Sequence, residues 1–168
     1  MLIREPFLSE FDREMAATRK TLERVPDEKW DWKPHPRSNT MGWLASHVAN
    51  MTLWTIMTFD RNELDVNPAG GQPPYTPPAN RADLLATFDR QLADGRARLA
   101  AADDKTLMED WTLLARGQKI FTMPRVSVLR GFVLNHMYHH RGQLTVYLRL
   151  NDVPVPALYG PSADEGGF

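Results

Sequence analysis

Apolar residues recur three and four positions apart in four stretches of this chain, with prolines and glycines marking the gaps between them. Phe7, Phe11, Met15, Thr18, Leu22 and Val25 follow helical spacing with charged residues between them, and Pro26 ends the run. The following segment, DEKWDWKPHPRSN, reads as a loop because Pro34 and Pro36 forbid helix continuation. Thr40 is placed to cap a second helix. On that helix Trp43, Leu44, His47, Asn50, Met51, Trp54 and Thr58 share one face, while Ala45, Ala49, Leu53 and Ile56 make the other face apolar too. A helix greasy on both sides is either central or lies at a subunit contact, and in a small bundle the second is expected, which points to a homodimer.

Residues 61–79 hold five prolines and a Gly-Gly pair, and read as a long irregular connection. Its length lets the chain return along the bundle, leaving the second and third helices parallel. Asn80 with Asp83 resembles a capping box. Leu84, Leu85, Phe88, Leu92 and Leu99 then carry a third helix to about Ala102. WTLLARGQKIFTM alternates around Arg116-Gly117 in the manner of a short hairpin. Pro124 suits the first turn of a fourth helix that runs to about Leu150, and a Pro/Gly-rich tail of disordered character closes the chain. The predicted fold is all-α: one domain over residues 1–168, a four-helix bundle with a long crossover between helices two and three and a short β-hairpin before helix four.

Composition narrows the chemistry. Twenty basic against twenty-one acidic residues give a net charge of -1, so no basic excess draws nucleic acid or an anionic membrane. The absence of cysteine excludes disulfides, thiolate ligation and a Cys nucleophile. Residues 38–59 lack Asp, Glu, Lys and Arg and are long enough to span a bilayer. Asn39, His47, Asn50 and several threonines are too polar for lipid, however, so the segment reads as a helix buried in protein. No basic and apolar leader opens the sequence, and a cytoplasmic location is expected.

Four of the five histidines fall on predicted helices: His47 on the second, and His136, His139 and His140 on the fourth. Helix four, projected at about 100° per residue, has a buried stripe marked by Leu129, Phe132, Val133, Gln143, Tyr147 and Leu150. His136 and His140 fall near its centre, whereas His139 lies about 80° away. Ser127, Arg130, Arg141, Thr145 and Arg149 take the opposite side and read as a solvated face. His35, between prolines, is expected to be exposed. An i, i+4 histidine pair can grip one divalent ion, and His47 from a facing helix would complete a three-ligand site. The competing account makes each inward imidazole an ordinary core residue. That requires three separate hydrogen-bond partners, where one cation satisfies all three. Haem ligation is disfavoured because an i, i+4 pair converges on a single small ion. Asn50 and Gln143 share faces with these histidines; they either orient ligands or meet substrate, or simply satisfy backbone groups in the core.

Three segments also carry a family resemblance: DWKPHPRSNTMGWLASHVANM (31–51), NHMYHHRGQLTVYLRLNDVPVP (135–156) and YGPSADE (159–165). In order and spacing they resemble the DinB/YfiT-like superfamily, the helical DinB family rather than the DNA polymerase that shares its name. The resemblance implies a four-helix bundle, often dimeric, with nickel or zinc held by three histidines, which by position are His47, His136 and His140. His139 is a common extra in the motif and is not carried over as a ligand. Thiol-dependent S-transferases and a thiol-using isomerase belong to the same superfamily. A divalent-metal enzyme activating a small thiol or water, with transferase or hydrolase chemistry on a small-molecule substrate, is therefore expected. A non-catalytic metal-binding stress-response protein is the alternative. No catalytic acid, base or nucleophile is assigned from the sequence.

Overall fold

Amphipathic stretches of this length fold by laying their apolar faces on one another, and most of the protein follows that rule. The computed structural model describes residues 2–71 and 76–166 and is mostly helical, with a small three-stranded sheet. The all-α expectation is corrected on that point. Helix α1 spans Arg4–Leu22, α2 Met41–Ala49 and α3 Met51–Asp60; strand β1 is Glu63–Asp65. Helix α4 is Arg81–Ala101, α5 Asp104–Met108, β2 Asp110–Ala115 and β3 Gln118–Pro124. Helix α6, Arg125–Val128, runs through a π-helical stretch at Leu129–Asn135 into α7, His136–Arg149.

Side-chain caps mark the starts. The Thr40 hydroxyl accepts from Trp43 N–H at 3.2 Å, Asn80 accepts from Asp83 N–H at 2.9 Å, and Asp103 from Thr106 N–H at 2.7 Å. The predicted second helix is interrupted at Asn50. There Thr52 donates its hydroxyl to the Ala49 carbonyl at 2.7 Å, in competition with the helical pattern.

Cross-helix pairs give the directions. Thr52 meets Gln91 and Asp60 meets Arg98, so α3 and α4 run parallel, as a long intervening connection requires. Asp12 with Arg96 and Arg19 with Asp89 set α1 antiparallel to α4. The common core contains Phe11, Met15, Leu44, Phe88, Leu129 and Met137, among others. Ala45, Val48 and Ala49 on α2 are buried within this one chain. Leu53 and Ile56, the other members of that second apolar face, are only half-buried.

The residues predicted as one irregular connection contain β1, which pairs parallel with β2 (Leu64 opposite Leu113); residues 72–75 of that stretch lie outside the described residues. β2 and β3 pair antiparallel, with Trp111 opposite Met123. Their turn needs positive φ at Arg116 (53°) and Gly117 (72°), the pattern of a tight hairpin. Asp65, at the end of β1, secures it by accepting from Arg116 N–H at 3.1 Å and Gly117 N–H at 2.7 Å. Leu64, Trp111 and Leu113 pack the sheet on Met57 and Val128. Buried Arg125 ties α3 to this end by donating to the carbonyls of Thr58 and Arg61 and to Asn62 Oδ1. Among the described residues no helix is long and apolar enough to cross a membrane.

One departure controls the rest. Leu129, Val133, Met137 and Arg141 are all buried, so the buried row advances four residues per turn through the π stretch rather than about 3.6. From there Leu144 and Leu148 continue the buried face, while Gln143 and Leu150 are exposed. The stripe predicted on α7 is therefore rotated from the true one. Arg141, expected in solvent, is 2% exposed.

Candidate metal centre

His47 comes from the last turn of α2, and His136 and His140 from the first turns of α7. The two helices lie side by side, with Tyr147 Oη 3.3 Å from the Asn39 carbonyl at their other end. One ligand-capable nitrogen from each of the three histidines lies within 4.8 Å of the other two. His47 Nε2 stands 3.2 Å from His136 Nε2, and the ring centroids are 4.5 to 4.9 Å apart. Ligand bonds of about 2.0–2.1 Å in a tetrahedral site place nitrogens roughly 3.3 Å apart. The three side chains therefore fit a common ion with small ring rotations.

The rings are half-buried, at the margin of the core rather than its centre. Burial pushes the pKa of His47 down to about 4, with further lowering from the neighbouring His140 and His136. Burial also lowers His136, aided by His140 and opposed by the backbone carbonyl of Phe132. His140 is lowered by burial too, against the hydrogen bond it donates to Gln143. All three are thus held neutral near pH 7, the form that donates a lone pair to a metal. Trp43 stacks on His47 at 4.9 Å with a 12° interplanar angle, fixing that ring's plane.

The other predicted residues divide. Gln143 joins the centre: its Oε1 lies 2.7 Å from His140 Nδ1, while its Nε2 lies 3.1 Å from His139 Nε2. With Nδ1 donating to the glutamine, His140 keeps its free lone pair on Nε2. His139 is exposed; its ring packs edge-on against His140, with centroids 4.8 Å apart, and it also bonds to Gln143. Asn50 is buried but faces elsewhere, lining a separate cleft of about 630 Å³ between α2–α3 and α4. His35 is exposed in the loop.

A second cavity, of about 470 Å³, opens beside His140 and Gln143. Arg37, Ser38, Asn39 and Trp43 contribute to it, although none was an expected site residue. The available signal was their position in the loop and first turn leading to His47. Gly42 holds that loop in place: a Cβ there would come 2.4 Å from the Trp30 ring, and Gly42 N–H donates to the Trp30 carbonyl at 2.8 Å.

Arg141 belongs to a different cluster. It donates to Glu14 Oε2 at 2.8 Å, to the Glu14 carbonyl at 3.0 Å and to Thr18 Oγ1 at 3.0 Å. It also donates to Tyr159 Oη, and the Tyr159 hydroxyl donates to Glu14 Oε2 at 2.6 Å. Burial alone would raise the Glu14 pKa, but the hydrogen bonds from Tyr159 and Arg141 outweigh it and hold it below the usual range. The tail expected to be disordered is thus fastened. Asp164 pairs with Arg149 and Glu165 with Arg24, while Ser162 Oγ donates to the Val155 carbonyl at 2.6 Å.

Comparison with known proteins agrees with this architecture. An uncharacterized protein of Bacillus subtilis, YrdA, is 31% identical over 167 residues, covering 95% of this chain and 89% of that one. A DinB-like protein from Bacillus cereus superposes with a TM-score of 0.70 at 24% identity, over 92% of this chain and 97% of that one. The DinB-like YjoA of B. subtilis gives a TM-score of 0.67 at 17% identity, over 92% and 98% of the two chains. At these identities the two structural likenesses are of fold. Residues 10–144 match the model of the DinB superfamily, to which this chain belongs.

Proposed function

We propose that His47, His136 and His140 hold one divalent metal ion, nickel or zinc, and that the protein is an enzyme directing a small thiol or a water at an electrophilic small molecule. The convergence of three neutral imidazoles beside an open cavity carries this reading. When bound, such an ion supplies Lewis acidity and makes a water or thiol far more acidic near neutral pH. Three protein ligands leave a coordination position for it, the pattern of catalytic rather than structural sites.

The protein's own groups prepare that position. Gln143 selects the His140 tautomer, and the Phe132 carbonyl faces the ring of His136. Trp43 shields one face of His47. The cavity beside His140 gives a substrate access to the centre from the side of the loop before α2.

Elemental analysis of protein purified without chelator or affinity-tag metal tests the proposal. About one equivalent of metal is expected in the wild type, and near none in His47→Ala, His136→Ala or His140→Ala with the helical fold retained. A panel of small thiols with a chromophoric acceptor then tests turnover. Metal uptake with no acceptor consumed would leave a binding protein in place of an enzyme, and unchanged uptake in all three variants would remove the site.

A further inference from the structure

The cavity beside His140 is unbalanced in charge. Trp43, Leu44 and Val146 make its walls apolar, and Arg37 is its one ionised lining group; no Asp or Glu is among the described lining residues. Arg19, Arg96, Arg98, Arg141 and Arg149 each pair with a carboxylate. Arg37 makes no such pair among the described residues. Its backbone N–H donates to His35 Nδ1 at 3.2 Å, which shapes the loop and leaves the guanidinium uncommitted. Neutral imidazoles cancel none of a divalent ion's charge, so an occupied centre would add its positive charge to that of Arg37.

We infer that this cavity selects small anionic ligands, a carboxylate on a short apolar body, with Arg37 as the anion anchor. The inference rests on the metal reading above and names the substrate class of that site. A guanidinium is suited to a carboxylate because its planar fork matches the two oxygens. The apolar walls favour a hydrocarbon body beside that anchor. Neutral ligands gain only the second contact.

Cobalt-loaded protein provides the test, since cobalt(II) absorbs visibly and its bands shift when a thiol reaches it. Mercaptopropionate and its neutral amide present the same sulfur and differ in the carboxylate. Titrated against wild type, the acid is expected to bind about tenfold more tightly, the scale of one charge-assisted contact. Arg37→Gln should take up cobalt equally, which also shows that it folds, yet lose the preference, and Arg37→Lys should keep part of it. Added salt should erode the preference in wild type and leave Arg37→Gln unmoved. Equal binding of acid and amide by wild type, a preference that survives in Arg37→Gln, or cobalt bound with no response to either thiol would each overturn the inference while leaving the metal centre standing. Failure of the wild type to take up cobalt would instead bring down the metal reading, and this inference with it.

Discussion

His140 and Arg141 are adjacent in sequence and belong to polar clusters of opposite design. Arg141 points into the core, where Glu14, Thr18 and Tyr159 surround it. Its charge is matched, and the carboxylate opposite accepts from the tyrosine as well. His140 turns towards a cavity, and its cluster contains three imidazoles, one short contact between two of them and no counter-charge. The difference separates two uses of buried polarity. A satisfied cluster fastens elements together, in this protein α1, α7 and the tail. The open cluster has no charged partner of its own and stays at the margin of the core.

The strongest way to break that contrast is to cut the closed cluster. Arg141→Leu leaves Glu14 buried without its cation, and loss of one partner of such a pair costs about 3–5 kcal/mol. Urea unfolding should show that loss. Metal stoichiometry, measured on the fraction that remains folded, should hold near the wild-type value. If metal uptake fell in step with stability, the two clusters would be one unit.

Acid should act on the open cluster first. Histidines whose folded pKa lies below the unfolded value near 6.5 contribute stability that is present above that pH. It is lost as the pH falls towards the folded values, about 4 for His47. For metal-free protein the loss from His47 is on the order of 1–2 kcal/mol, because a tenfold change in a protonation equilibrium is worth about 1.4 kcal/mol and solvent screens the half-buried ring. Denaturation midpoints between pH 7 and 4.5 should follow this slope, and His47→Gln should flatten it. Glu14, with its folded pKa below 4.5, gives up its contribution only at more acid pH.

Gln143→Ala probes the edge of the open cluster and should have the smallest effect. It frees the His140 ring to rotate and change tautomer, and loss of such an orienting partner weakens metal binding by about 10- to 100-fold. Competition with a chromophoric chelator measures this, and metal-free stability should barely move.

Much of this arrangement was legible beforehand, for reasons that are local. Thr40 and Asn80 cap helices because a short polar side chain before an apolar run has one good use. The three histidines could be paired because i and i+4 share a face whatever the phase of the helix. The phase itself was not legible. An extrapolation at 3.6 residues per turn runs through the π stretch without registering it, which put Arg141 in solvent and Leu150 in the core. One clue was available on α1, where Glu14 lies beside Phe11, Met15 and Thr18 on the buried side and demands a cation from another element. Strand β1 is three residues long and exists through parallel pairing with β2, almost fifty positions later, so no local pattern announces it. The tail looks disordered by composition, but Ser162, Asp164 and Glu165 hydrogen-bond back onto its own backbone.

The widened turn between Leu129 and Asn135 behaves like an offset key on a shaft. Rewinding the same residues as regular α-helix, with its larger angular step per residue, would swing everything downstream by about a hundred degrees. The imidazoles of α7 would leave their partner on α2, and the guanidinium of Arg141 would leave the carboxylate of Glu14. A single backbone irregularity thus aims the imidazole pair and the buried guanidinium at once.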